Sequence, residues 1–250
     1  MVGNLLLRGM MIGVLAGLLA FCFARVFGEP WVDYAITFEE QAARNMPAAM
    51  EAPELFSRAT QAGLGLLTGL LVYGAAIGGL LALAFAFADG RLGRLGSRSV
   101  AAVIAALGWT AVVLVPQLKY PANPPAVGSA DTIMARTELF FAMLVVSVVL
   151  MIAAVMLARR LSRRLGGWNG VTLAAGAYLA AVMVMFAALP NIEEIPAAFS
   201  PAALWNFRIA SIGVQTVLWA GIGLGFGAVT EFSTRRRHAT GAASGAAAWR

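Results

Sequence analysis

Six stretches of the chain are almost wholly apolar, and each is long enough to cross the hydrocarbon core of a bilayer, which takes about 20 residues of helix. They lie near Leu5–Phe27, Gly63–Ala88, Ser99–Gln117, Leu139–Ala158, Gly170–Leu189 and Phe207–Thr230. None carries the polar stripe that a soluble helix turns to water. The pattern predicts an all-α, polytopic membrane protein with six transmembrane helices. Residues 1–234 are expected to form a single membrane domain, and 235–250 a basic, Ala/Gly-rich tail that is disordered.

Composition agrees with the pattern. Hydrophobic residues make up 60% of the 250 and charged residues only 12%, about half the charged share of a soluble domain. The first run holds one early basic residue, Arg8, and no small-x-small cleavage site, so it reads as a span and not as a signal peptide. Leu19-Ala20-Phe21-Cys22 faintly resembles a lipoprotein cleavage box, but Phe21 stands where a small residue is needed. Cys22 is expected as a small buried hydrophobe. A single cysteine permits no intrachain disulfide.

Charge gives the spans a direction. Arg91, Arg94 and Arg98 follow the second span, Arg159, Arg160, Arg163 and Arg164 the fourth, and Arg235, Arg236 and Arg237 the sixth. Short arginine-rich connectors stay cytoplasmic, so both termini are expected in the cytoplasm. The net charge of +6 is a topology signal on this reading and gives no reason to expect nucleic-acid binding. All ten prolines fall in the outer connectors or at the outer ends of spans, and so do all acidic residues except Asp89 and Glu231.

Two further patterns carry candidate function. Within the spans, glycines recur every four residues: Gly9, Gly13 and Gly17; Gly65 and Gly69; Gly74 and Gly78; Gly221 and Gly225, with Gly223 and Gly227. That spacing places them on one helix face where backbones can approach, either between spans one, two and six or against a partner helix. Gln215, Tyr178 and the scattered threonines of the spans read as interhelical hydrogen-bonding groups. In the first outer connector, Glu29, Asp33 and Glu39 are candidate ligands for a divalent cation. A helix there would put Glu29, Asp33 and Glu40 on one side and Glu39 on another. The sole histidine, His238, lies in the tail, and Met46 and Met50 read as an apolar face. No nucleophile–base pair, phosphate loop or redox cysteine pair is present, so an enzyme ranks below a transporter component and a scaffold subunit.

The connector "VPQLKYPANPPAVG" packs four prolines around Lys119, the only lysine. Its low conformational freedom predicts a fixed cap folded over the outer span ends, with Lys119 in reach of Glu29, Glu39 or Glu194. A solvated loop is the alternative. This block, with "FGEPWVDYAITFEE", "GLLTGLLVYGAAIGGLLALAFAFADGRLGRLG", "DTIMART" and "LWNFRIASIGVQTVLWAGIGL", resembles the CbtA family of proposed cobalt transporter subunits over about Arg8–Gly227. The resemblance implies a subunit of the bacterial cytoplasmic membrane that takes up cobalt for cobalamin synthesis. Cobalt would be cargo, with no tightly bound cofactor. The implied partners are membrane lipids and a small, single-span, histidine-bearing CbtB-type subunit, and no nucleic acid. The rival reading is an accessory subunit docked to a larger membrane complex. Family residues carried over are Glu29, Asp33 and Glu39; Lys119, Tyr120, Asn123 and Arg136; and Glu194 and Arg208. Where many members have a His-rich acidic stretch, this chain has "QAARNMPAAMEAPELFSR" with no histidine. Either a partner supplies imidazoles or metal is not captured in this loop.

Overall fold

The computed structural model of the protein describes residues 2–44, 57–91, 95–125, 127–128, 132–192 and 195–247. Among these the only regular structure is helical: α1 (Val2–Phe23), α2 (Glu29–Arg44), α3 (Arg58–Thr60), α4 (Leu66–Ala88), α5 (Ser97–Trp109), α6 (Val115–Lys119), α7 (Ile133–Leu165), α8 (Gly167–Ala188) and α9 (Pro201–Ala247). Five-residue π-helical turns join α1 to α2 (Ala24–Gly28), α3 to α4 (Gln61–Gly65) and α5 to α6 (Thr110–Leu114). Six of the resulting rods are long and apolar enough to span a membrane: Val2–Ala42, Arg58–Ala88, Ser97–Lys119, Ile133–Leu165, Gly167–Ala188 and Pro201–Ser233. Most run past the apolar windows read from sequence, because polar residues at their ends continue the helix.

The chain divides into two compact units. The first comprises 1–26, 52–106 and 213–250. Its centre is the α1–α4 pair. Gly9, Gly13 and Gly17 lie against the backbone of Gly78, Gly74 and Leu70, and a Cβ at any of these glycines would strike the facing carbonyl oxygen. Backbones this close need glycine, on both helices where Gly9 meets Gly78 and Gly13 meets Gly74, and on α1 alone where Gly17 meets Leu70. The same unit sets Gly221 on Ala16 and Gly225 on Ile12, and Gly223 and Gly227 against Ala105, Ala101 and Arg98 of α5. Phe85 and Phe226 are fully buried and meet edge to face at 5.2 Å. Gly65 and Gly69 depart from this pattern: Gly65 meets only Thr60 of its own segment and Gly69 has open space around it. Gly69 stands one residue before Leu70, about 100° around the helix from the line of Leu70, Gly74 and Gly78 that meets α1, and Gly65 lies in the preceding π turn. Cys22, expected to be buried, is exposed on the surface of α1.

Polar groups inside this unit find one another. Tyr73 donates to Gln215 Oε1 at 3.3 Å, and Arg25 Nη1 reaches the carbonyl of Ala62 at 3.4 Å. Arg98 and Glu231 form an ion pair at 2.9 Å.

The second unit comprises 27–51 and 107–212. Gly166, with φ +82° and ψ 159°, turns α7 into α8 in a backbone region only glycine enters freely. Gly170 then lies against the backbone of Ser162, closing the hairpin. Met143, Tyr178 and Val182 bury between these helices together with Val115 and Tyr120, and Ser147 pairs with the Tyr178 hydroxyl at 3.5 Å. A second apolar cluster joins α2 to the connectors: Ala35, Val127, Phe199 and Ala203, flanked by Trp31, Phe38 and Leu204. Trp31, Ala35 and Phe38 recur at the spacing of one helix face, and Tyr34 and Phe38 each make a T-shaped contact with Phe199, at 5.7 and 5.2 Å.

Candidate functional site

α8 ends at Ala188, so the carbonyls of its last turn lack helical partners. Lys119, at the end of α6, donates to one of them, Phe186 O, at 2.9 Å, and to Asn191 Oδ1 at 2.6 Å. A cation at a helix C-terminus also sits at the favourable end of the helix dipole. The next residue, Tyr120, is 4% exposed, and its hydroxyl donates to Pro190 O at 2.8 Å. Burial raises its phenol pKa above the ordinary value, so it is a neutral donor at physiological pH.

Beyond Tyr120 the prolines strip the connector of backbone donors and leave carbonyls to be served by side chains. Arg136, in the first turn of α7, donates to Pro121 O at 2.6 Å. Arg208, near the start of α9, donates from Nε to Ala122 O at 3.3 Å and from Nη2 to Asn123 Oδ1 at 3.0 Å. Three cations thus tie one connector to α7, α8 and α9. They also line a cavity of about 360 Å³ with Tyr120, Asn123, Ile192 and Ile195. A neighbouring cavity of about 320 Å³ shares Tyr120, Asn123 and Arg136 and extends along Ile133, Thr137 and Phe140 of α7.

The structure therefore brings together Lys119, Tyr120, Asn123, Arg136 and Arg208. The partners described for Lys119 are neutral oxygens, where a carboxylate was expected; Glu194, one of the three proposed, lies outside the described residues. The acidic trio is not gathered. Glu29 is buried at the head of α2, whereas Asp33 and Glu39 are exposed. At about 100° per residue, Asp33 and Glu39 point about 120° apart around the helix. Among the described residues no group of three His, Cys, Asp or Glu side chains is placed to hold a metal ion. Met46 and Met50 lie outside the described residues. Sequence reasoning missed Asn191 and the carbonyls of Phe186 and Pro190. Their signal was the helix end itself, where acceptors without partners were bound to attract the nearest donors.

Six helices long and apolar enough to span a membrane, in an all-helical chain, define a polytopic α-helical membrane protein. The chain belongs to the CbtA family: the family model described as "Probable cobalt transporter subunit (CbtA)" matches residues 2–231. Comparison with curated proteins and with solved structures returned no match.

Proposed function

We propose that this chain is the membrane subunit of a cobalt uptake transporter of the bacterial cytoplasmic membrane, that it supports cobalamin synthesis, and that it works with a small single-span CbtB-type partner. The observation that carries the reading is the family match across nearly the whole chain, 2–231. The acids of α2 fit it in a particular way. Asp33 and Glu40 are exposed on one side of α2 and Glu39 on another. Such a set attracts divalent cations without enclosing one. Cobalt prefers a share of nitrogen ligands, so the partner's histidines would complete its coordination. Both termini are cytoplasmic in this reading, and α2 with the proline connector faces outward.

Cobalt accumulation in cells expressing the chain with and without the partner tests it. Uptake is expected only with both, and to fall several-fold in Glu29→Gln or Asp33→Asn. Uptake that ignores the chain would overturn it. The accessory-subunit reading predicts instead a stoichiometric larger complex in mild detergent and no cobalt dependence. It is weakened because Gly9, Gly13, Gly17, Gly74, Gly78, Gly221 and Gly225 all meet neighbours within the chain.

A further inference from the structure

We propose that the cavity under the proline connector is a binding site for a phosphate group, carried by an anionic lipid or free in solution. The site is separate from any path for a metal cation, because its charge has the wrong sign for one. Lys119, Arg136 and Arg208 all line it, beside the Tyr120 hydroxyl and the Asn123 amide. No carboxylate stands among its described lining residues. Two guanidinium groups facing one cavity repel each other, and an anion between them would remove that cost.

The connector carbonyls do not exhaust the donors. Lys119 has three N–H groups and Arg208 five, and two on each have acceptors among the described residues. Arg208 is held at Nε and Nη2 by Ala122 and Asn123, which fixes the plane of its fork. Planar forks beside an amine are the arrangement that binds phosphate oxygens by charge-assisted hydrogen bonds. A volume of about 360 Å³ is far larger than the ~30 Å³ share of one water.

The surroundings also suit a lipid source. Ile192 and Ile195 form the apolar part of the wall. The adjoining cavity continues onto Ile133 and Phe140 of α7, and Ile133 is 60% exposed at the start of a membrane-spanning helix. A headgroup phosphate in the cationic cavity would leave its acyl chains running along the apolar face of α7.

The test uses the full chain purified in non-ionic detergent. Native mass spectrometry with phosphatidylglycerol and phosphatidylcholine reads headgroup preference, and thermal melting reads the response to inorganic phosphate. Expected is a preference for the anionic lipid of about tenfold, the size of one charge-assisted hydrogen bond, lost in Arg136→Gln and reduced in Arg208→Lys. Stabilisation by millimolar inorganic phosphate that also displaces the lipid identifies the free ion as the ligand. Lipid preference without that response identifies the headgroup. Equal retention of both lipids with no phosphate response overturns the proposal, and so does a preference unchanged in a folded Arg136→Gln chain. Because Glu193 and Glu194 stand between Ile192 and Ile195 in sequence, the E193Q/E194Q chain is a further arm. The preference is expected to persist in it. A preference found only there would mean that the chain's own carboxylates fill the cavity, and the proposal would fall.

Discussion

A Cβ at Gly13 would collide with the carbonyl of Gly74, whereas one at Gly69 would meet nothing within 4 Å. Backbone cannot step aside as a flexible side chain can, so Gly13→Ala is expected to destabilise by about 1–3 kcal/mol or more. Gly69→Ala should be neutral or slightly favourable, since alanine is the better helix former. Melting of the two variants in detergent compares them directly. Both glycines stand in four-residue spacings, but Gly69 is about 100° around α4 from the line of Leu70, Gly74 and Gly78 that meets α1. The spacing says that a helix has a small face; the neighbouring helix decides which such face the backbones touch. Tyr120 yields a second expectation. Tyr120→Phe deletes the hydroxyl bond to Pro190 O and should cost about 1 kcal/mol. Because burial raises the folded-state pKa of the phenol, its contribution is fully present below the ordinary tyrosine value, about 10, and is lost as pH rises through and beyond it. The wild-type melting temperature should therefore fall more steeply than that of Tyr120→Phe above about pH 10.

At the scale of elements, the connector after α6 behaves as a fitted piece. Four prolines limit its unfolded freedom, and four side-chain donors, Lys119, Tyr120, Arg136 and Arg208, tie it to three helices. Replacing Tyr120–Pro125 with a Gly/Ser linker of equal length removes one buried aromatic ring and three of the four prolines together. A loss of about 3 kcal/mol or more is expected, read as a drop in the detergent melting temperature. The stiffness of this segment was legible from its prolines, and the need for cations near it from Lys119 and its neighbours. The partners described for them are carbonyl and amide oxygens, at the end of α8 and along a connector short of donors, a demand that matching charge to charge in the sequence does not reveal. The three π-helical turns were not legible. A π turn differs from an α turn by one residue in its hydrogen bonding, and no residue type marks it. The reach of α2 was partly legible: its acids suggested a helix, while the Trp31, Ala35 and Phe38 stripe that seats it emerged only with the connectors in place.

For the whole molecule, the six spans were the most legible feature, since hydrocarbon thickness imposes a length that composition alone reports. The division into two units was invisible, because three of its four boundaries, at 26/27, 106/107 and 212/213, run through helical rods. Orientation is open to direct test in a Cys22→Ala background. A cysteine replacing exposed Ala198 should react with an impermeant thiol reagent added to intact cells, and one replacing exposed Gly167 should react only after lysis. The reverse pattern would invert every assignment of inner and outer made from the arginines.

The glycine seam between α1 and α4 also bears on how the protein is made. α1 and α4 are made well before α9, and each carries its half of the seam in full. A slip of one residue would set side chains against backbone, so the seam admits a single register, and the pair can settle into it before the rest of the chain exists. Gly221 and Gly225, which fit onto Ala16 and Ile12 of α1, are synthesised some two hundred residues later. A helix made late thus closes on one made early, and a premature stop anywhere before α9 would leave a finished hairpin waiting in the bilayer with one side uncovered.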